Sequence, residues 1–435
     1  MKEHKAPPLI LSPGNMKKLI GITYLFIATL APAQNITTRQ YQEDFEYFWT
    51  TIHDNYCYWN KKQTDWEKVK TIYKPLVDTI TNKNSFIDVL EKVFYELYDH
   101  HASLNTNTAE SERLVPSGTD IWAEYVNGKP TIIEVRTGSG AQKAGIRAGT
   151  ELKGCNNIPI QKAIETFFPR CLKSPDDEAK NYALRLLLAG NHSGTRKITV
   201  LKHGQQQDVH PDEPVNLLET KNEKPEIESK ILKENVGYIL INNSLGDNAL
   251  IHLFDSVLTK LKDTRALILD LRNTPGGGNT AVARSILGRF IAQEGFYQKH
   301  ELASEEKETG IKRSWIEIVS PRKPVYEKPL VVLVDHWTGS VGEGIAIGFD
   351  ALKRATIIGT KMAQLNGAVY SFTMPNTGIG FSFPAEKLYH VNGTPRENFH
   401  PNVEIDLSRE KNDNDPILEK GVKYISDHPV GKKLK

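Results

Sequence analysis

The chain has 435 residues, more than one ordinary domain holds, so two or three are expected. Its 39% hydrophobic and 25% charged residues suit a soluble globular protein, and a net charge of +2 excludes a global basic field for nucleic acid or anionic lipid. Three cysteines (Cys57, Cys155, Cys171) allow at most one disulfide, which excludes a disulfide scaffold.

The first signal in chain order is Met16-Lys17-Lys18, an apolar run over 19–30, then Ala31-Pro32-Ala33. A basic start, a short apolar centre and a small-x-small end describe a secretory signal peptide over residues 1–33, with 1–15 as an upstream extension. The run falls short of the roughly 20 apolar residues that span a bilayer. Cleavage after Ala33 leaves Gln34 first, and no Cys follows to take a lipid. The expectation is an exported protein, periplasmic or extracellular, that meets the membrane only through the cleaved segment.

Residues 34–112 read as a helical domain. Phe45, Phe48, Trp49 and Ile52, then Phe86, Val89, Leu90, Val93, Phe94 and Leu97, recur at three- and four-residue spacing as core stripes. Ser85 is the expected N-cap of the second stripe. Residues 113–212 turn β-rich, with strands over 131–135 and 197–201. The run from Gly138 to Gly149, with Leu152 and Asn156-Asn157-Ile158-Pro159-Ile160, resembles a PDZ domain, which implies binding of an extended peptide end by β-augmentation. Residues 213–230 are polar and predict a linker. The segment 213–435 then alternates strands (236–241, 266–271, 330–334, 356–358) with helices (249–262, 279–291, 341–353), a layered α/β core with mostly parallel pairing.

Two strand-to-helix turns carry the chemistry. In Asp270-Leu271-Arg272-Asn273-Thr274-Pro275-Gly276-Gly277-Gly278, glycines let the backbone come close to a ligand, and their N–H groups can hold an oxyanion. No Lys-Ser/Thr follows, so a phosphate loop is excluded. In Thr338-Gly339-Ser340-Val341-Gly342-Glu343, Ser340 opens a helix. The pattern is a capping box, and the same geometry sets a serine hydroxyl beside free N–H groups at the positive end of the helix dipole. A serine nucleophile needs a base. His336 is near in sequence; His100 and His101 follow the last helical stripe, where they could also pair on a metal, though no third ligand lies nearby.

Leu97-x-Asp99-x-His101, Asp270-Leu271-Arg272 with Pro275-Gly276-Gly277, Thr338 to Glu343, and Glu397-Asn398-Phe399-His400-Pro401-Asn402, in this order, resemble the C-terminal processing proteases, tricorn-core-like peptidases and interphotoreceptor retinoid-binding proteins. The resemblance implies a crotonase/Clp-protease-like α/β core behind the helical and PDZ-like domains. One version of the family pairs the serine with a lysine about 25 residues on. Here that position is Leu365, and Lys361 lies only 21 residues after Ser340. The tricorn-like version matches instead. It implies Ser340 as nucleophile, His101 as base, Glu397 as orienting or polarising acid, and an oxyanion hole from Gly277 or Gly276 with the Val341 N–H. Thr274, His100, His400 and Asn402 depart from the family's pattern.

The resulting expectation is a serine peptidase acting through an acyl-enzyme on peptides or unfolded proteins, whose C-terminal ends the PDZ-like domain would bind. No cofactor, metal or nucleic acid is expected. A non-catalytic carrier of peptides or apolar ligands on the same fold, and a pure PDZ adaptor, are the alternatives. With an imidazole near its ordinary value of about 6.5, activity should fall as pH drops through that region.

Overall fold

A computed structural model describes residues 36–213, 224–409 and 414–428. The predicted signal peptide and most of the predicted linker lie outside them. Helix α1 (Thr38–Asn55) opens with a Thr37/Gln40 capping box and buries Phe45, Phe48, Trp49 and Ile52 along one face. It is followed by α2 (Trp66–Val77) and α3 (Lys83–Tyr95). The cap of α3 is Asn82, whose side chain takes the Ser85 N–H, so the cap lies three residues before the expected Ser85. These three helices do not complete their own core. Phe381, Phe383 and Ile379, more than 280 residues later, fill it.

Strands β1 (Ile121–Val126), β2 (Lys129–Val135), β3 (Glu151–Cys155), β4 (Ile198–Lys202) and β5 (Gln205–Val209) form an antiparallel sheet in that order. Asn127 and Gly128, both at positive φ, make the tight turn between β1 and β2 that the twist of a two-residue hairpin demands. Helix α4 (Asp177–Ala189) packs on this sheet, sharing its core with Ile121, Leu152 and Ile198.

The predicted linker ends in an edge strand, β6 (Ile227–Leu232), antiparallel to β7 (Val236–Ile241). Its alternating charged residues lie on an edge where water covers them. Beyond come α5 (Ala249–Lys260), β8 (Ala266–Asp270), α6 (Thr280–Gly288), β9 (Gly295–Leu302), β10 (Arg313–Val319), β11 (Leu330–Val334), α7 (Val341–Ala351), β12 (Thr356–Gly359), β13 (Ala368–Thr373), β14 (Gly380–Tyr389), β15 (Val403–Glu404) and α8 (Pro416–Asp427). The central sheet has the order β15-β12-β11-β8-β7-β6 and is parallel except for β6. Leu267 and Leu269 of β8 face α5, α6 and α7, while Ala266 and Ile268 face α8, so both faces of the strand are buried.

Strands β9, β10, β13 and β14 form a separate antiparallel sheet that the sequence pattern did not announce. Its buried residues include Gln298, His300, Glu301 and Glu386, which mask the apolar alternation. This sheet sets the geometry of the site. The two-residue strand Ser103–Leu104 pairs with β14 at Ser382 and Phe381, and the Asn105 N–H bonds Gly380 O at 2.8 Å. The stretch just after His101 is thereby stitched to the far end of the chain. No helix of the described residues is long and apolar enough to cross a membrane.

Candidate active site

Strands β8 and β11 are parallel neighbours, and the two predicted turns leave their carboxyl ends side by side. A parallel bridge ties Thr274 to Thr338, and the Thr274 carbonyl accepts the N–H groups of both Gly277 and Gly339 at 3.3 Å. The Thr274 hydroxyl donates to Leu271 O at 2.7 Å. Ser340 takes φ 52° and ψ −110°, a conformation strained by about 1–3 kcal/mol for a side-chain-bearing residue. Glu343 of α7 holds it there, its Oε2 accepting the Ser340 N–H at 2.8 Å as the carboxylate half of the capping box.

His101 meets this serine. Its Nε2 lies 3.2 Å from Ser340 Oγ across 239 residues of chain. Its Nδ1 lies 2.6 Å from Asn366 O. A carbonyl only accepts, so Nδ1 carries the proton, and Nε2 presents its lone pair to the hydroxyl. Asp99 sets this arrangement from behind. Its Oδ1 takes the His101 backbone N–H at 3.0 Å, and its Oδ2 takes Asn366 Nδ2 at 2.9 Å and the Tyr56 hydroxyl at 2.7 Å. Burial, and after it the Arg396 guanidinium, lowers the imidazole to about 4, well below the value assumed from sequence.

Gly277, at φ 66°, packs directly on the serine. A Cβ there would stand 2.6 Å from Ser340 Cβ. The Val341 N–H has no acceptor among the hydrogen bonds of the described residues. The Gly276 N–H, expected as an alternative oxyanion donor, already donates to Asn243 Oδ1 at 2.6 Å and is engaged elsewhere.

Glu397 is not at the imidazole. Its Oε1 pairs with Lys61 Nζ at 2.5 Å, and its Oε2 is buried without a hydrogen-bond partner. The backbone carbonyl of Asn366 occupies the place at Nδ1 that an orienting carboxylate would need. His100 turns away from His101 and stacks on Tyr182 with ring centroids 4.5 Å apart, so the two rings do not converge on a metal. Among the described residues no group of three or more His, Cys, Asp or Glu side chains could hold a metal ion. The cysteines are free and buried, and burial raises all three thiols.

The β1–β5 segment buttresses both turns. His336 Nδ1 is 2.5 Å from Glu134 Oε2 of β2, and Trp337 Nε1 donates to Thr119 O at 2.8 Å. Arg136 donates to Asn273 Oδ1 of the glycine turn. His336 is therefore held by Glu134 and is not the histidine on the serine.

Residues 235–406 match peptidase family S41, and residues 37–94 match the tricorn protease C1 domain. The chain carries a peptidase family S41 domain behind a tricorn protease C1 domain. It is a serine-type peptidase with a mixed α/β fold. Among solved structures, mature CPAF is similar at 17% identity and a TM-score of 0.57, over 85% of this chain and 94% of that one. Mature CPAF complexed with lactacystin gives 17%, 0.57, 90% and 97%. The photosystem II D1 C-terminal processing protease gives 16%, 0.53, 87% and 96%. At these identities the likeness is one of fold.

Sequence reading of the S41 domain missed Asn366 and Arg396, whereas the Glu343 carboxylate takes the Ser340 N–H as the expected capping box requires. Asn366 acts through its backbone carbonyl, which no side-chain pattern reveals. Its one trace is the following Gly367, at φ 44°, in a sharp Asn-Gly turn.

Proposed function

We propose that the protein is an exported serine peptidase that hydrolyses peptide bonds through an acyl-enzyme, with Ser340 as nucleophile and His101 as general base. The observation that carries this reading is the 3.2 Å contact between His101 Nε2 and Ser340 Oγ, with the tautomer set by Asn366 O. His101 Nε2 takes the hydroxyl proton as Oγ attacks the scissile carbonyl. The Val341 N–H and the Gly277 N–H, which is held only by a 3.3 Å turn bond, receive the oxyanion. Collapse expels the amine, which takes its proton from His101, and a water repeats the sequence on the ester. Asp99 and the Asn366 carbonyl orient the imidazole, and Glu397 contributes from the Lys61 side.

Export rests on the basic-apolar-small pattern over residues 16–33. The substrates are peptides or unfolded proteins, and the PDZ-like sheet receives their extended C-terminal ends. Hydrolysis of an unfolded protein by the chain, set against its Ser340→Ala and His101→Ala variants, tests the assignment. Loss of turnover in both supports it, and full activity in folded Ser340→Ala rejects it.

A further inference from the structure

Behind the serine and the histidine lies one buried cation with ties to both. Arg396 is 2% exposed and follows Pro395 in a short 3-10 turn (Arg396–Asn398). Its Nη2 donates to Leu365 O at 2.9 Å and to Gly367 O at 2.6 Å. Those carbonyls flank Asn366, whose own carbonyl holds His101 Nδ1. The same Nη2 is 3.7 Å from Glu343 Oε2, the atom that takes the Ser340 N–H. A guanidinium removed from water is costly unless the geometry around it is filled, and here its Nε has no partner. The hydrogen bonds it does make are all to the loop that supports the base.

We propose that Arg396 is a positioning residue that sets base and nucleophile in register, fastening the Leu365–Gly367 loop under His101 and the Glu343 carboxylate under Ser340. This rests on the Ser340–His101 reading above. The guanidinium faces Glu343 on α7, Glu397 with its Lys61 partner, and the Tyr58 and Tyr297 hydroxyls. Across the loop, His101 is itself faced by Asp99. Among these groups Arg396 is the cation that disfavours a charged imidazole, opposed by Asp99. Its loss therefore moves the acid limb in one direction, upward.

The test is the rate of Ser340 modification by a fluorophosphonate probe from pH 3.5 to 8, read by mass spectrometry on the full chain. Thermal melts establish folding. Arg396→Gln removes the charge and the forked donor. Its acid limb should rise by about one pH unit, and its plateau rate should fall about tenfold or more. Arg396→Lys keeps the charge but lacks the fork. Its limb should stay at the wild-type position while the plateau drops about tenfold. A loop support of purely structural kind would lower the plateau in both and leave both limbs in place. An unmoved limb or an undiminished plateau in folded Arg396→Gln overturns the proposal. If that variant does not fold, a wild-type plateau in Arg396→Lys overturns it. Absence of any adduct at Ser340 in the unsubstituted chain is a different result: it removes the underlying reading, and this proposal with it.

Discussion

Gly277 offers a quantitative test of the site because the room beside it is filled by the proposed nucleophile. A Cβ added there would lie 2.6 Å from Ser340 Cβ and 2.9 Å from its Oγ. Carbon atoms rest at about 3.5–4.0 Å, so Gly277→Ala must push Ser340 back by about 1 Å. A displacement of that size in a reacting group costs about 100-fold in rate. The φ of 66° adds about 1–2 kcal/mol of backbone strain. Gly378 separates the two effects. It has φ 67° in the turn before β14, and nothing lies within 4 Å of its would-be Cβ. Gly378→Ala should lose similar stability and keep its rate. The assay is kcat/KM on a peptide substrate with thermal melts on both variants. Gly277→Ala within about twofold of wild type, or equal rate losses in the two variants, would refute the reasoning.

The pH profile is a second prediction. With His101 as the proposed base, only its neutral imidazole takes the proton, so activity should hold down to about pH 5 and fall as pH drops through about 4; a midpoint near 6.5 would contradict the burial argument. Asp99→Ala strips the acceptor from Tyr56, Asn366 and the His101 backbone N–H, and should cost about 3 kcal/mol by denaturant titration and lower kcat. Burial raises the Glu343 carboxyl to about 7 from its ordinary 4.5. The folded chain binds the extra proton between those values, so this group's stabilisation is present below about 4.5 and is lost as pH rises through about 7. Glu343→Gln should flatten that slope and gain on the wild type in melts at pH 8.

The elements with strong apolar rhythm were legible in sequence, and the polar ones were not. Buried strands such as Leu330–Val334 announce themselves because both faces need apolar side chains. Gly295–Leu302 does not, since His300 pairs there with Glu386 at 2.5 Å inside the sheet. In the site, Ser340 and His101 were readable because hydroxyl and imidazole chemistry is confined to few residue types. Asn366, by contrast, works through a carbonyl every residue possesses. The expectation for Glu397 at the imidazole gave way because Asn366 O already occupies Nδ1. The pH expectation moved because burial and the approach of Arg396 are tertiary facts.

The most direct measurement is the site of covalent modification. After reaction of the chain with a fluorophosphonate, peptide mapping should find a single adduct on Ser340, and the His101→Ala chain should react at least about 100-fold more slowly. An adduct on another residue, or equal reactivity without the imidazole, would contradict the account.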